Sequence, residues 1–223
     1  MPVHFAPEEM ASRRDAAAAE LSKCGLDALA IFKQESMYYL TGYDTFGFSL
    51  FQCLVLTADG ATSLLTRLPD LRQAQQTSDI TDIRVWHEFE SMNPAVDLVS
   101  MLTSLGLKGS KIGIELDSYG LKAKAWRALE AELDGFCAWQ DESELIDGLR
   151  AVKSPAEVAF VRQAAVLADN AWDEAVALAH PGAFEGDILA AMQGAVFKGG
   201  GDYAGNEFII GSGAGALLVR YFT

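Results

Sequence analysis

The chain has 223 residues, half of them hydrophobic, with 31 acidic against 17 basic side chains and a net charge of −14. This length suffices for one large domain, or for one ordinary domain and part of another. The apolar content excludes disorder of the whole chain. The acidity, with no basic run to offset it, argues against nucleic-acid and anionic-membrane partners.

The cysteines and the first residues of the chain indicate the cellular compartment. The three cysteines, Cys24, Cys53 and Cys137, are widely spaced and odd in number, which predicts neither a disulfide framework nor a thiolate metal site. The first residues lack the apolar segment of a signal peptide, and no apolar run is long enough to cross a membrane. We therefore predict a cytoplasmic protein with reduced thiols.

The first 150 residues alternate between helix and strand patterns. Pro7 is predicted to open a helix that ends at Gly25, because proline suits the first turn and glycine the position after the last. Residues 26–32 form an apolar run typical of a buried strand. Residues 36–40 allow a single helical turn.

The middle of this region carries the clearest local signal. Two apolar runs around Asp59-Gly60 predict a hairpin, because both turn positions tolerate a positive φ. Further helices are predicted at 69–76, 94–105 and 121–133, and further strands at 83–86, 111–116 and 136–140. One hairpin among β-α alternations predicts an α/β domain over residues 1–150, with a mixed sheet flanked by helices.

A new helix is predicted to begin near residue 154. Ser154 and Glu157 have the spacing of a capping box, and Pro155 fits the first helical position. Apolar residues then recur every three or four positions, which is typical of one face of a helix: Val158, Val161, Ala165, Ala168, Trp172 and Val176. A second helix at 185–197 and a strand at 207–213 follow. These elements are too few to close a core of their own.

Two segments are candidates for binding. The loop within residues 38–48 is rich in aromatics, and Tyr43, Asp44 and Phe46 either line a lid over a substrate or supply core rings and a turn. Arg220 and Tyr221 follow an apolar run, where an arginine is either a carboxylate clamp or a solvated strand end.

Other motifs are weaker. His4, His87 and His180 have no metal-ligand spacing. Residues 211–216 imitate a dinucleotide-binding fingerprint, but the helix and the acidic residue that this motif needs do not follow.

Together, four segments resemble the pita-bread metallohydrolases, which include prolidase, aminopeptidase P and creatinase. The segments are "YLTGY", "LRAVKSPAEVAFVRQAA", "HPGAFEGDI" and "FIIGSGAGALLVRY". The resemblance implies a creatinase-type N-terminal domain over 1–150. It also implies that residues 151–223 are the first helices and strand of an α+β pita-bread catalytic domain.

The resemblance also implies a function for the parent protein, that of a hydrolase of C–N bonds with two divalent ions (Mn, Co, Zn or Fe). It implies a small-molecule or dipeptide substrate and a homodimer, in which the loop around Tyr43 and Phe46 closes the neighbouring subunit's pocket. The family's metal ligands fall beyond Thr223. No residue here inherits a catalytic or metal role, and we expect the chain alone to be inactive.

One departure concerns the substrate. Family peptidases commonly place a histidine where this sequence has Arg220, whereas Tyr221 fits the pattern. A permanent cation favours a small carboxylated substrate, as in the creatinase-like and ectoine-hydrolase-like branches. Two alternatives remain: a lyase of the same fold acting on a sulfonium carboxylate, and a non-catalytic dimerisation or binding module.

Overall fold

The computed structural model describes residues 4–87, 89 and 92–219. The chain divides into two compact units, one ending at Val152 and the other beginning at Lys153. Within the described residues, the strands of the first unit are β1 (Ala28–Ile31), β2 (Cys53–Thr57), β3 (Thr62–Arg67), β4 (Asp82–Trp86), β5 (Lys111–Ile114) and β6 (Ala138–Asp141). Its helices are α1 (Pro7–Cys24), α2 (Gln34–Thr41), α3 (Leu71–Thr77), α4 (Pro94–Ser104), α5 (Ala123–Leu133) and α6 (Leu145–Ala151).

The six strands form one mixed sheet in the order β4-β3-β2-β1-β5-β6. Strand β2 is antiparallel to both of its neighbours, and the remaining pairs are parallel. The structure thus confirms the predicted α/β fold with one hairpin in a mixed sheet.

The sheet is covered on both faces, so its central strands are apolar throughout. In β1, Ala28 and Ala30 belong to the core formed with α4 and α5. Leu29 and Ile31 point to the opposite core, formed with α1, α2, α3 and α6. This alternation follows from the two-residue period of a strand.

Local signals explain most element boundaries. Gly25 ends α1 in the left-handed conformation, with a φ of 65°, as predicted. The predicted hairpin is confirmed, and of its two turn residues Gly60 takes a positive φ, of 85°. Asp59 instead stabilises the turn with its side chain, because its Oδ1 accepts hydrogen bonds from Thr57 Oγ1 (2.5 Å) and the Ala61 N–H (3.2 Å).

Two elements differ from the predictions for the first unit. The single turn expected at 36–40 is the eight-residue helix α2. Helix α6 was not predicted, because it is only seven residues long and contains Gly148.

The second unit is a pair of packed helices, α7 (Pro155–Leu178) and α8 (Glu185–Lys198). The capping box at the start of α7 is confirmed: Ser154 Oγ accepts from the Glu157 N–H (3.2 Å), and Glu157 Oε2 accepts from the Ser154 N–H (2.9 Å). The strand predicted at 207–213 is wrong. Those residues pair with no described strand, and a 3₁₀-helix follows at Gly213–Leu217.

The apolar stripe of α7 is exposed. Val161 is 59% exposed and Trp172 is 67% exposed. Ala171, the buried residue of α7, lies about 100° around the helix from Trp172 and so outside this stripe. None of the described helices combines the length and the apolar character needed to cross a membrane.

Candidate functional site

The carboxyl ends of five parallel strands lie along one edge of the sheet, because only β2 runs in the opposite direction. In open α/β sheets, ligands bind in crevices outside this edge. The aromatic loop that follows α2 lies at the same edge, next to the end of β1. This edge is therefore the candidate site.

A pocket of about 530 Å³ opens beyond the ends of β1, β5 and β6. We call it the charged pocket, because most of its lining side chains are ionisable. They are Lys33, Gln34, Glu35, Phe48, Asp117, Ser118, Tyr119, Asp147 and Arg150.

A buried carboxyl group, Glu115, forms hydrogen bonds with the chain segments behind this pocket. Its Oε2 accepts hydrogen bonds from the Phe32 N–H (3.0 Å) and the Lys33 N–H (2.8 Å), and its Oε1 accepts from Ser36 Oγ (2.6 Å). The side chain is inaccessible to solvent. Burial raises the pKa of Glu115 to about 7, against the opposing effect of these hydrogen bonds. Glu115 thus joins the end of β5 to the start of α2.

Lys33, which follows β1, connects the end of that strand to α6. Its Nζ donates to the Ser143 carbonyl oxygen (2.8 Å) and to Asp147 Oδ2 (2.7 Å). Burial lowers the pKa of Lys33, but the hydrogen bond and charge of Asp147, with smaller contributions from Glu115 and Asp117, leave it raised. The hydrogen bond from Lys33 in turn lowers the pKa of Asp147. The pair is therefore ionised at neutral pH.

Ser143 fixes the loop that follows Glu115. Its Oγ accepts from the Leu116 and Asp117 N–H groups, each at 2.9 Å, and donates to Asp141 Oδ1 (2.5 Å). The hydrogen bond from Ser143 lowers the pKa of Asp141. The backbone on which Asp117 and Tyr119 are mounted is therefore held in place.

Three exposed aromatic rings stand beside the charged pocket, and we call them the aromatic ridge: Phe46, Phe48 and Tyr119. The centroids of Phe46 and Phe48 are 6.2 Å apart and those of Phe48 and Tyr119 are 6.1 Å apart, both edge to face. Phe46 is 94% exposed and Tyr119 is 80% exposed. Such a row of exposed rings is typical of a contact surface.

A buried hydrogen-bond network supports the loop that carries two rings of the ridge, Phe46 and Phe48. Tyr43 Oη donates to Gln52 Oε1 (2.6 Å), Thr66 Oγ1 donates to the same oxygen (2.6 Å), and Gln52 Nε2 donates to the Gly47 carbonyl (3.0 Å). A Cβ atom at Gly47 would lie 2.5 Å from Gln52 Nε2, so only glycine fits there without movement. Burial raises the pKa of Tyr43, so the phenol stays protonated as a donor.

The structure separates the predicted site residues. Tyr43 is fully buried, so contact with a substrate would require it to leave the core, whereas Asp44 and Phe46 are exposed. Asp44 donates its backbone N–H to Thr77 Oγ1 (3.1 Å). Arg220 and Tyr221 lie outside the described residues. A substrate-binding role for all five stays a prediction.

Sequence reasoning missed the charged pocket and two rings of the ridge. Glu115 carried a usable signal, since an acidic residue directly after an apolar strand lies at the sheet's carboxyl edge. Lys33 follows β1 in the same way. Tyr119 carried none, because its position beside Phe48 depends on how two distant loops pack.

The described residues supply charge and aromatic surface, which suit binding. Among them, no three His, Cys, Asp or Glu side chains lie close enough to hold a metal ion. They do not fit a dinuclear metal centre, and we assign no metal-dependent step to them.

Comparison with known proteins gives one family match. Residues 13–152 match the model of the creatinase/prolidase N-terminal domain. Ectoine hydrolase from Halomonas elongata is 28% identical over 217 residues, which cover 89% of this chain and 54% of that protein.

Solved structures show the same fold. The Xaa-Pro dipeptidase from Bacillus anthracis superposes with a TM-score of 0.68 at 17% identity, over 85% of this chain and 49% of that one. A dipeptidase from Pyrococcus horikoshii OT3 gives a TM-score of 0.66 at 22% identity, over 83% of this chain and 49% of that one. This chain spans about half the length of these relatives.

Proposed function

Because this chain belongs to the creatinase/prolidase family through its N-terminal domain, we propose that it is the N-terminal part of a metal-dependent hydrolase of C–N bonds. The substrate class is a small carboxylated molecule or a dipeptide. The similarity to ectoine hydrolase and the fold shared with two dipeptidases support the hydrolase assignment. The metal ions would activate a water molecule, and their ligands would lie outside the residues described for this chain.

The observation that carries the role of this domain is the aromatic ridge. Its rings are exposed while the loop beneath them is fixed by the buried Tyr43 and Gln52. A preorganised apolar surface loses less conformational entropy on binding than a mobile one. We propose that the protein is a homodimer in which the ridge closes the active site of the neighbouring subunit, with Asp44 and Phe46 nearest the substrate.

Residues 151–223 are proposed to begin the catalytic domain. The exposed stripe on α7, which includes Val161 and Trp172, supports this, because a 24-residue helix with such a stripe needs a further layer to cover it. Acrylamide quenching of the Trp172 fluorescence, obtained as the difference between each protein and its Trp172→Phe variant, tests the proposal. We expect quenching in the 223-residue chain and protection in the longer parent protein; equal quenching in both would contradict it.

Arg220 is proposed to pair with the substrate carboxylate, and Tyr221 to contact the substrate beside it. An arginine forms two parallel hydrogen bonds with a carboxylate, which a lysine cannot reproduce. In the parent protein we expect both Arg220→Ala and Arg220→Lys to raise KM, the alanine variant by more. Unchanged kinetics in the alanine variant would exclude the clamp.

The hydrolase assignment is tested on the parent protein, loaded in turn with Mn²⁺, Co²⁺, Zn²⁺ and Fe²⁺. Ectoine and a series of Xaa-Pro dipeptides represent the two substrate classes. We expect metal-dependent hydrolysis of one class. Absence of hydrolysis for both, with every metal and a folded dimer, would contradict the assignment.

The ridge is tested by Phe46→Ala in the same protein, with Val96→Ala as the control. Both side chains are exposed apolar groups of the first unit, and Val96 lies on α4. We expect Phe46→Ala to lower kcat/KM at unchanged unfolding temperature, and the control to alter neither. Equal kcat/KM for the two variants would remove the ridge from the active site.

A further inference from the structure

A second cavity, which we call the apolar groove, lies at the same sheet edge beyond the ends of β3 and β4. Its volume is about 440 Å³, and it lies between the chain leading into β2 and the starts of α4 and α5. Its lining is mostly apolar, with Phe51, Trp86 and Pro94 among the lining residues. This size is within the range of small-molecule sites.

The wall of the groove is rigid and offers no free indole donor. Trp86 Nε1 donates to the Phe51 carbonyl oxygen (3.1 Å), and the two rings meet edge to face with centroids 6.4 Å apart. Both side chains are more than nine-tenths buried. The small part of these rings that faces the groove is therefore apolar, because the indole N–H is already bonded.

Two lysines, Lys122 and Lys124, give the groove a positive rim in a chain whose net charge is −14. Both are exposed, and neither has a hydrogen-bond or ion-pair partner for its ammonium among the described residues. The first turn of α5 has no acidic residue to neutralise them. The third cation of the lining, Arg67, differs, because it pairs with Asp70 at 2.8 Å.

We propose that the apolar groove binds a small organic anion with a flat apolar body and one carboxylate, the body against Trp86 and the carboxylate near Lys122 and Lys124. Burial of the body supplies affinity and the lysines supply the preference for an anion. This site lies outside the charged pocket, and it does not depend on the proposed hydrolase activity.

The test uses the whole 223-residue chain and indole-3-acetate as the probe, with neutral indole-3-acetamide as its uncharged equivalent. The indole N–H resonance of Trp86, assigned with Trp86→Phe, reports on binding in NMR titrations. Lys122→Gln with Lys124→Gln removes the rim. The matched control is Lys108→Gln with Lys111→Gln, an equal charge change near the start of β5, at the opposite sheet edge.

We expect a saturable shift of the Trp86 signal with the acid. Removal of one contact between a lysine ammonium and the carboxylate weakens binding about fivefold. The rim variant should therefore bind the acid at least about fivefold more weakly than the wild type does. The control variant should bind the acid with the wild-type affinity, and the amide should bind the rim and control variants with equal affinity. Absence of a saturable Trp86 shift, equal affinity for acid and amide, or equal weakening by both lysine pairs would each overturn the proposal.

Discussion

Replacement of Glu115 by glutamine tests whether this buried group is a protonated acid in the folded protein at mildly acidic pH. The amide is close to isosteric with the carboxyl group. Its oxygen can accept from the Phe32 and Lys33 N–H groups, and its NH₂ can donate to Ser36 Oγ, which lies 2.6 Å from Oε1. The variant should therefore keep the fold and lose only the titration.

The magnitude follows from the pKa of Glu115, which burial raises from 4.5 to about 7. Because the folded state binds the proton more tightly, Glu115 stabilises the fold fully below pH 4.5 and loses this contribution as the pH rises to about 7. Each pKa unit is worth about 1.4 kcal/mol. The free energy of unfolding of Glu115→Gln minus that of the wild type should thus rise by about 3 kcal/mol across this range.

Urea unfolding at several pH values measures this difference. Both proteins carry Trp172→Phe, so that fluorescence reports on the first unit through Trp86, Trp126 and Trp139. Glu130→Gln on the exposed side of α5 is the control, and it should show no such rise. A flat difference would show that Glu115 titrates normally. A difference that falls with pH would show that its three hydrogen bonds hold it ionised.

Three further substitutions test the supporting contacts. Lys33→Met should raise the pKa of Asp147 towards its unfolded value, so that the stability which Asp147 contributes at neutral pH, and which the wild type loses on acidification, is reduced; carboxyl NMR titration measures the shift. Tyr43→Phe removes a buried donor to Gln52 and should lower the free energy of unfolding, measured in urea, by about 1 kcal/mol; unchanged stability would contradict this. Ser154→Ala removes the cap of α7 and should cost about 1 kcal/mol, seen as faster amide exchange in its first turn; unchanged exchange would contradict this.

Sequence patterns predicted the elements whose signals are local. Pro7, Gly25 and the capping box at Ser154 each act through neighbouring backbone groups, so their residues alone define a helix end. The mixed sheet was predicted from the alternation of strands and helices together with one hairpin. The strand predicted at 207–213 failed because a strand needs a partner for its hydrogen bonds, and no described strand supplies one.

The candidate site was less predictable because its parts come from loops distant in sequence. Aromatic richness located the loop but could not tell which ring faces inward, so buried Tyr43 and exposed Phe46 looked equivalent. Glu115 and Ser36 are 79 positions apart, and only the folded sheet brings them together. Periodicity predicts which face of an element is apolar, but not what covers that face, as the exposed stripe of α7 shows.

The loop after α2 divides its tasks between different residues. Tyr43, Gln52 and Gly47 determine its shape through buried contacts, whereas Phe46 projects from it and Phe48 contacts both Phe46 and Tyr119. Exchanging an outward ring for another side chain therefore leaves the scaffold intact. Phe46 is therefore the position of this loop at which a library of side chains can be screened with the least risk of collapse of the surrounding domain.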